Sequence, residues 1–201
     1  MSELCAICGE RVGERVCPAL GGKRICSVCC GKNRLKTLHC PPDCPYLLAA
    51  ERNLRERRAR ELSKGWALLV SYLRQAGKGH LLPYLEVLRE ALARGLHELD
   101  ATDTEVAAAL DYCARKLSPI ELLERPPSPL GKALEEAFLP LVRSGKLDGE
   151  VVREAMRTLA EFVEHFSRGD DERRFVRGLL GLYPPPPKEK PGLILRPGSP
   201  P

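Results

Sequence analysis

The spacing of apolar and polar positions divides this chain into three regimes. From Tyr46 to Tyr183 apolar residues recur at helical intervals and no run alternates as a strand would, so an all-α domain is expected over residues 46–183. Tyr46–Ala76 has no proline and only Gly65 as a breaker, which predicts one long helix opening that domain. Its apolar stripe runs through Leu47, Leu48, Leu54, Leu62, Trp66, Leu69 and Leu73, and Gly77-Lys78-Gly79 ends it. Further helices are expected over His80–Leu96, over Asp103–Leu117 behind the capping box Thr102-x-x-Glu105, and from Ser118-Pro119 to about Glu124. Ser128-Pro129 opens another to about Ser144, with Pro140 as a kink or stop. Asp148 caps Gly149–Phe166, and Asp170 caps a last helix over Asp171–Leu182. Beyond it, residues 184–201 form a Pro-rich extended tail with one apolar run, Gly192-Leu193-Ile194-Leu195. That run either docks on the helices, adds a strand to a partner, or belongs to a plain disordered terminus.

The first 45 residues show no such period, apart from a short predicted helix over Lys32–Leu38. A segment this short cannot bury a core of ordinary size. Cysteine spacing supplies another means of folding. Eight of the nine cysteines lie here: Cys5, Cys8, Cys17, Cys26, Cys29, Cys30, Cys40 and Cys44. Cys5-x-x-Cys8-Gly9 reads as a zinc knuckle, in which two thiolates chelate one ion from a tight turn and glycine takes the positive φ. Cys26-x-x-Cys29-Cys30-Gly31 repeats the pattern. The two together could furnish one tetrahedral site. Cys17, Cys40 and Cys44 then furnish most of a second, completed by whichever of Cys29 and Cys30 is left, or by His39 as a substitute. The Cys26-x3-Cys30 and Cys40-x3-Cys44 spacings suit ligands one helical turn apart. Eight thiolates match two Zn²⁺ ions; an iron–sulfur cluster and disulfides are the competing readings. Sites made only of cysteine are usually closed, so the expected role of the metal is structural.

The run CxxC, cysteine pair, CxxxC and a final His/Cys-x3-Cys over residues 5–44 resembles the double-zinc cross-brace fingers of the MYND and HIT type. It departs from them at Cys17, which is followed by Pro-Ala-Leu-Gly-Gly with no cysteine two residues on. The phrases CPALGGKRICSVCCG and HCPPDCPYL also resemble those at the start of a family of uncharacterised bacterial proteins of about this length, a likeness that implies no particular activity.

Charge alters what the finger can be expected to touch. Residues 1–64 hold 13 Lys and Arg against 7 Asp and Glu, whereas residues 65–201 hold 19 against 20. Two Zn²⁺ on eight thiolates would bring residues 1–45 to about −1. The basic excess therefore sits in the helix that follows, where RNLRERRAR places five arginines in nine residues. Arg52, Arg55 and Arg58 are the candidates for contact with a phosphate backbone, assisted by Lys32, Arg34 and Lys36. Glu51–Arg55 and Glu56–Arg60 pairs, with Glu61 against Arg57 or Arg58, would instead make this a solvated, salt-bridged face.

Catalytic groups are sparse. Glu161 and His165 stand one turn apart with no second such pair, His80 and His97 read as loop and helix-end residues, and Cys113 falls on an apolar helix face. There is no phosphate-binding glycine loop and no nucleophile elbow. No apolar run approaches the roughly eighteen residues of a membrane span. The cluster starts at residue 5, leaving no room for a signal peptide, and clustered reduced thiols suit the cytoplasm. The expected architecture is a small zinc-stabilised cysteine-rich module (1–45) followed by an all-α helical domain, with little or no β outside the finger. The expected function is non-enzymatic: a module or adaptor that binds another protein, without membrane or small-molecule substrate. The alternatives are nucleic-acid binding through helix 52–60 and thiol-based redox sensing.

Overall fold

The computed structural model describes residues 3–118 and 126–185. The predicted short helix after Ser118 and the apolar run 192–195 lie outside them. The chain forms two compact units, Met1–Arg57 and Arg58–Pro201, so the division falls inside the long helix and not before it.

In the first unit, β1 (Arg15–Val16) pairs antiparallel with β2 (Arg24–Ile25), Arg15 facing Ile25 and Val16 facing Arg24. Between them a single 3₁₀ turn, Pro18–Leu20, is closed by Gly21 and Gly22 at φ 63° and 86°. Residues with a Cβ rarely take up that left-handed backbone, which accounts for the Gly-Gly pair.

Helix α1 spans Ser27–Asn33, earlier than the Lys32–Leu38 expected from sequence. Cys26 supplies its N-cap, its Sγ accepting the Cys29 amide at 3.3 Å. Gly31 is therefore helical and does not close a second knuckle. The helix ends because Leu35 turns left-handed at φ 56° and the Asn33 carbonyl gathers the amides of Lys36, Thr37 and Leu38. Helix α2 then runs Pro45–Gln75 without a break. Only two aliphatic residues, Ile25 and Leu38, are fully buried with the sulfurs of this unit's core. Thiols fill the rest, as the shortage of apolar volume anticipates.

The second unit contains the end of α2, then α3 (Leu82–Glu98), α4 (Asp103–Lys116), α5 (Pro129–Arg143), α6 (Gly149–Phe166) and α7 (Arg174–Leu182). A 3₁₀ turn at Gly79–Leu81 leads into α3, two residues later than expected. Helix α5 continues through Pro140 to Arg143. The predicted faces converge on one core, where Leu85, Leu110, Leu134, Met156, Leu159 and Phe175 are among the fully buried side chains. Phe162 joins α2 to α6 and α7, with its ring edge-on to Trp66 at 5.7 Å and to Phe175 at 6.3 Å. The Arg89 guanidinium lies 4.5 Å from the Trp66 ring and 5.5 Å from that of Tyr183, anchoring the end of α7 to α3.

Gly65, a breaker by sequence, sits inside α2 where a Cβ would come within 3.0 Å of the Phe166 ring. At Gly178 a Cβ would meet the Leu62 Cβ at 2.9 Å and the Arg58 carbonyl at 3.3 Å. Neither neighbour can rotate away. Gly178→Ala should therefore destabilise the protein by about 1–3 kcal/mol despite its better helix propensity, a loss readable in urea unfolding.

The capping box at α4 is complete: the Thr102 amide donates to Glu105 Oε2 at 2.7 Å and the Glu105 amide to Thr102 Oγ1 at 3.3 Å. The Thr102 amide and hydroxyl hold the Glu105 carboxyl below the usual carboxylate range. A depressed carboxylate stabilises the fold above its unfolded pKa, and that contribution disappears as pH falls through the lower folded value. Thr102→Ala should cost about 1 kcal/mol at pH 7. Its Tm deficit should shrink on acidification below about pH 4.

Candidate metal centre

All nine cysteines are free thiols. Four of them meet. The sulfurs of Cys5, Cys8, Cys26 and Cys29 all lie within 4.8 Å of one another. A tetrahedral Zn²⁺ with Zn–S near 2.3 Å needs sulfurs about 3.8 Å apart, so the group fits an ion after closing by about 1 Å.

The two halves of the site are built differently. The first is the expected knuckle: the Gly9 amide donates to the Cys5 carbonyl at 2.8 Å, and Gly9 has φ 67°. The second is the N-terminus of α1, where Cys26 caps and Cys29 follows in the first turn. The strands bring them together, the Ala6 amide donating to the Arg24 carbonyl at 2.9 Å and the Cys5 amide to the Arg11 carbonyl at 2.7 Å. Cys5, Cys26 and Cys29 are buried and Cys8 is half-buried.

The backbone prepares two of the four sulfurs to be anions. Burial pushes the Cys5 thiol up, but the amides of Cys26, Cys8 and Ile7 outweigh it and bring it down to about 6. The Cys29 amide lowers Cys26 against burial, assisted by the thiol of Cys29 and the Arg11 guanidinium. Cys29 keeps its proton, pushed up to about 12 chiefly by the neighbouring Cys26 sulfur. In return the Cys26 thiolate raises Arg11 above its ordinary value. Arg11 is thus the cationic neighbour of this group, which sequence spacing alone does not reveal.

Cys29, not Cys30, joins this group. No second group of three or more ligands meets the 4.8 Å spacing among the described residues. Cys17, Cys30 and Cys44 are nevertheless buried and Cys40 is half-buried, whereas His39 is exposed. Cys44 stands just before α2, its carbonyl accepting the Leu47 and Leu48 amides at 3.0 Å, and its own amide donates to the Pro41 carbonyl. Residues 40–44 therefore form a turn, and not the helical turn that the spacing suggested.

None of the other sequence candidates belongs to the group formed by Cys5, Cys8, Cys26 and Cys29. Arg52 and Arg55 are exposed, while Arg58 is half-buried, with its Nη2 3.9 Å from Asp171 Oδ2. Among the described residues, Glu51, Arg55, Glu56 and Arg60 form none of the predicted ion pairs with one another. His165 Nδ1 contacts the Glu161 carbonyl at 2.8 Å, and His97 Nε2 contacts the Tyr183 carbonyl at 2.8 Å. Cys113 is buried on α4, donates to the Gly131 carbonyl at 3.3 Å, and is pushed up to about 12 by burial and by Glu135. No helix among the described residues is long and apolar enough to cross a membrane.

Comparison of the chain with known protein families, with curated proteins and with solved structures found no match.

Proposed function

We propose that this protein is a non-enzymatic zinc protein that acts as a protein-binding module or adaptor in the cytoplasm. The metal is Zn²⁺ and its role is structural, because four cysteine ligands leave no coordination position for a substrate or water. A second ion belongs to Cys17, Cys30, Cys40 and Cys44, completing a cross-brace of the MYND and HIT kind.

The observation that carries the protein-binding reading is the surface of the cysteine-rich unit. Leu4, Ile7, Val12, Val16, Val28 and Leu35 are all between 40% and 62% exposed, while only Ile25 and Leu38 are aliphatic residues buried in the thiol cluster. Leu4 and Val12 are bridge partners and so lie side by side. Ile7 and Val28 take the same place in their two Cys-x-x-Cys turns. Aliphatic surface turned outward in this proportion suits an apolar protein partner better than phosphate. Affinity capture with the full-length, zinc-loaded protein should retain a partner that Leu4→Asp with Val12→Asp fails to retain. Capture unaffected by the double change overturns the reading.

Nucleic acid is the second reading, favoured by the exposure of Arg52 and Arg55 and, among the described residues, by the absence of Glu51–Arg55 and Glu56–Arg60 ion pairs. Here log K should fall linearly with log [salt], and Arg52→Glu with Arg55→Glu should weaken binding and flatten that slope. No salt-dependent binding, or an unchanged slope, rejects it.

A further inference from the structure

Three helices of the second unit leave a gap that their own side chains do not fill. Residues of α3, α5, α6 and the turn between α5 and α6 line a cavity of about 260 Å³. Protein interiors seldom leave a void much larger than a water molecule. Leu88, Phe138 and Val152 in its lining are buried and belong to the core, so packing on their other sides fixes them. Leu147 and Tyr84 are half-buried and Val87 is 45% exposed, so the cavity opens to solvent beside α3.

The lining limits what can occupy it. It holds no carboxylate, imidazole, amine or thiol. A charged group would lose its hydration there without a counter-ion. The one polar side-chain group in the lining is the Tyr84 hydroxyl, which makes no hydrogen bond among the described residues. A peptide would bring an N–H and a C=O with nearly every residue to walls that offer a single side-chain partner. A small molecule with an apolar body and one hydrogen-bonding end leaves nothing unpaired. An apolar cavity of about 150 Å³ holds one benzene ring, so this larger one suits a body of about two fused rings.

We propose that this cavity is a binding site for a small uncharged molecule with an apolar body of that size and one hydroxyl or carbonyl end, which pairs with the Tyr84 hydroxyl. The lining has no acid, base or nucleophile apart from that phenol, so the ligand is held and not transformed. The site uses residues of the helical unit alone and is independent of the metal and of the protein-binding reading.

The test titrates naphthol into the full-length, zinc-loaded protein by calorimetry at two temperatures, with naphthalene and naphthalenesulfonate as comparisons. Naphthol should bind one per chain with a negative heat-capacity change, the mark of apolar burial. The sulfonate should fail to bind. Tyr84→Phe should weaken naphthol by about 3–10-fold and leave naphthalene unchanged, a difference that a merely structural role would not produce. Val87→Trp, at an exposed position, should close the cavity and abolish binding of both. Methyl resonances of Leu88, Leu147 and Val152 in the wild type should shift on titration, a readout that needs no variant. Absence of saturable naphthol binding overturns the proposal, as does binding that moves none of those methyls or persists in folded Val87→Trp. Equal losses of naphthol and naphthalene in Tyr84→Phe overturn the pairing with its hydroxyl. Binding that appears only when Leu193→Asp and Ile194→Asp are introduced assigns the cavity to the chain's own apolar run and overturns the proposal. A wild-type dimer that Val87→Trp dissociates assigns it to a second copy, with the same consequence.

Discussion

Cys26→Ser should cost the protein one metal ion per chain and unfold the cysteine-rich unit, the largest effect expected of any single substitution here. Cys26 has three roles at once: it is one of four sulfurs within 4.8 Å, it caps α1 by accepting the Cys29 amide, and it faces Arg11. Serine could keep the cap, but it is a far poorer ligand for a soft ion than a thiolate. The unit's core has little besides sulfur to fall back on, since only Ile25 and Leu38 are fully buried aliphatic residues in it. Structural zinc sites in small modules supply about 10–16 kcal/mol of apparent binding energy, which is also folding energy. Metal analysis should therefore show one ion fewer, and amide exchange across residues 3–44 should become fast while α4 and α6 stay protected. Cys113→Ser, outside that group, should leave the metal content unchanged. Retention of the full complement by Cys26→Ser refutes the assignment. Acid should mimic the substitution. Metal binding requires the thiolates, and Cys5 loses its proton at about 6 even before metal enters. Acidification should therefore release the metal as protons compete with it for the four sulfurs, a loss read as falling metal content along an acid titration.

Asp103→Ala should lower the stability of the helical unit by about 3–4 kcal/mol and its Tm by on the order of 10 °C. Asp103 is the one buried charged side chain among the described residues. Its Oδ2 accepts the Phe175 amide at 2.8 Å and the Ser167 hydroxyl at 2.6 Å, and its Oδ1 accepts the Val176 amide at 2.9 Å. It thus caps the N-terminus of α7 from α4, across more than seventy residues of chain. The Asp103 amide donates to the Glu172 carbonyl at 2.8 Å and closes the same junction from the other side. Alanine would leave two buried amides without acceptors at the end of a helix. Asp103→Asn keeps one acceptor oxygen and should lose less than half as much. Thermal unfolding followed at α-helical wavelengths decides it: equal Tm values for wild type and Asp103→Ala remove the capping account.

This same contact explains where sequence reading goes wrong. Asp170 and Asp171 resemble a local cap, and a helix from residue 171 follows naturally from them. The real start is Arg174, because Asp171 closes a turn onto the Arg173 and Arg174 amides and the helix takes its cap from Asp103. At Thr102 and Asp148, by contrast, the capping oxygen lies within three residues of the amide it accepts, and both helices start where sequence places them. The same split runs through the metal centre. The Cys5–Cys8 knuckle was legible because its ligands and its left-handed glycine are neighbours. The choice between Cys29 and Cys30 was not, since it depends on which sulfur α1 turns toward Cys5. Lys32–Leu38 looks helical by composition, yet only Lys32 and Asn33 are helical, as the last residues of α1; Arg34–Leu38 is a turn, because the Leu35 backbone and the bridge between Arg34 and Leu38 override propensity.

Sequence alone determined what is local or compositional: a sulfur-rich segment poor in apolar volume, a long helix after it, and amphipathic helices with their own caps. Helical periodicity and ligand spacing are properties of neighbouring residues, so they survive being read in one dimension. Only the tertiary structure decided which four thiols meet, that Arg11 accompanies Cys26, and that Asp103 caps a helix seventy residues away. Those are meetings of distant segments, and they follow from packing and from the need to satisfy each buried charge and amide.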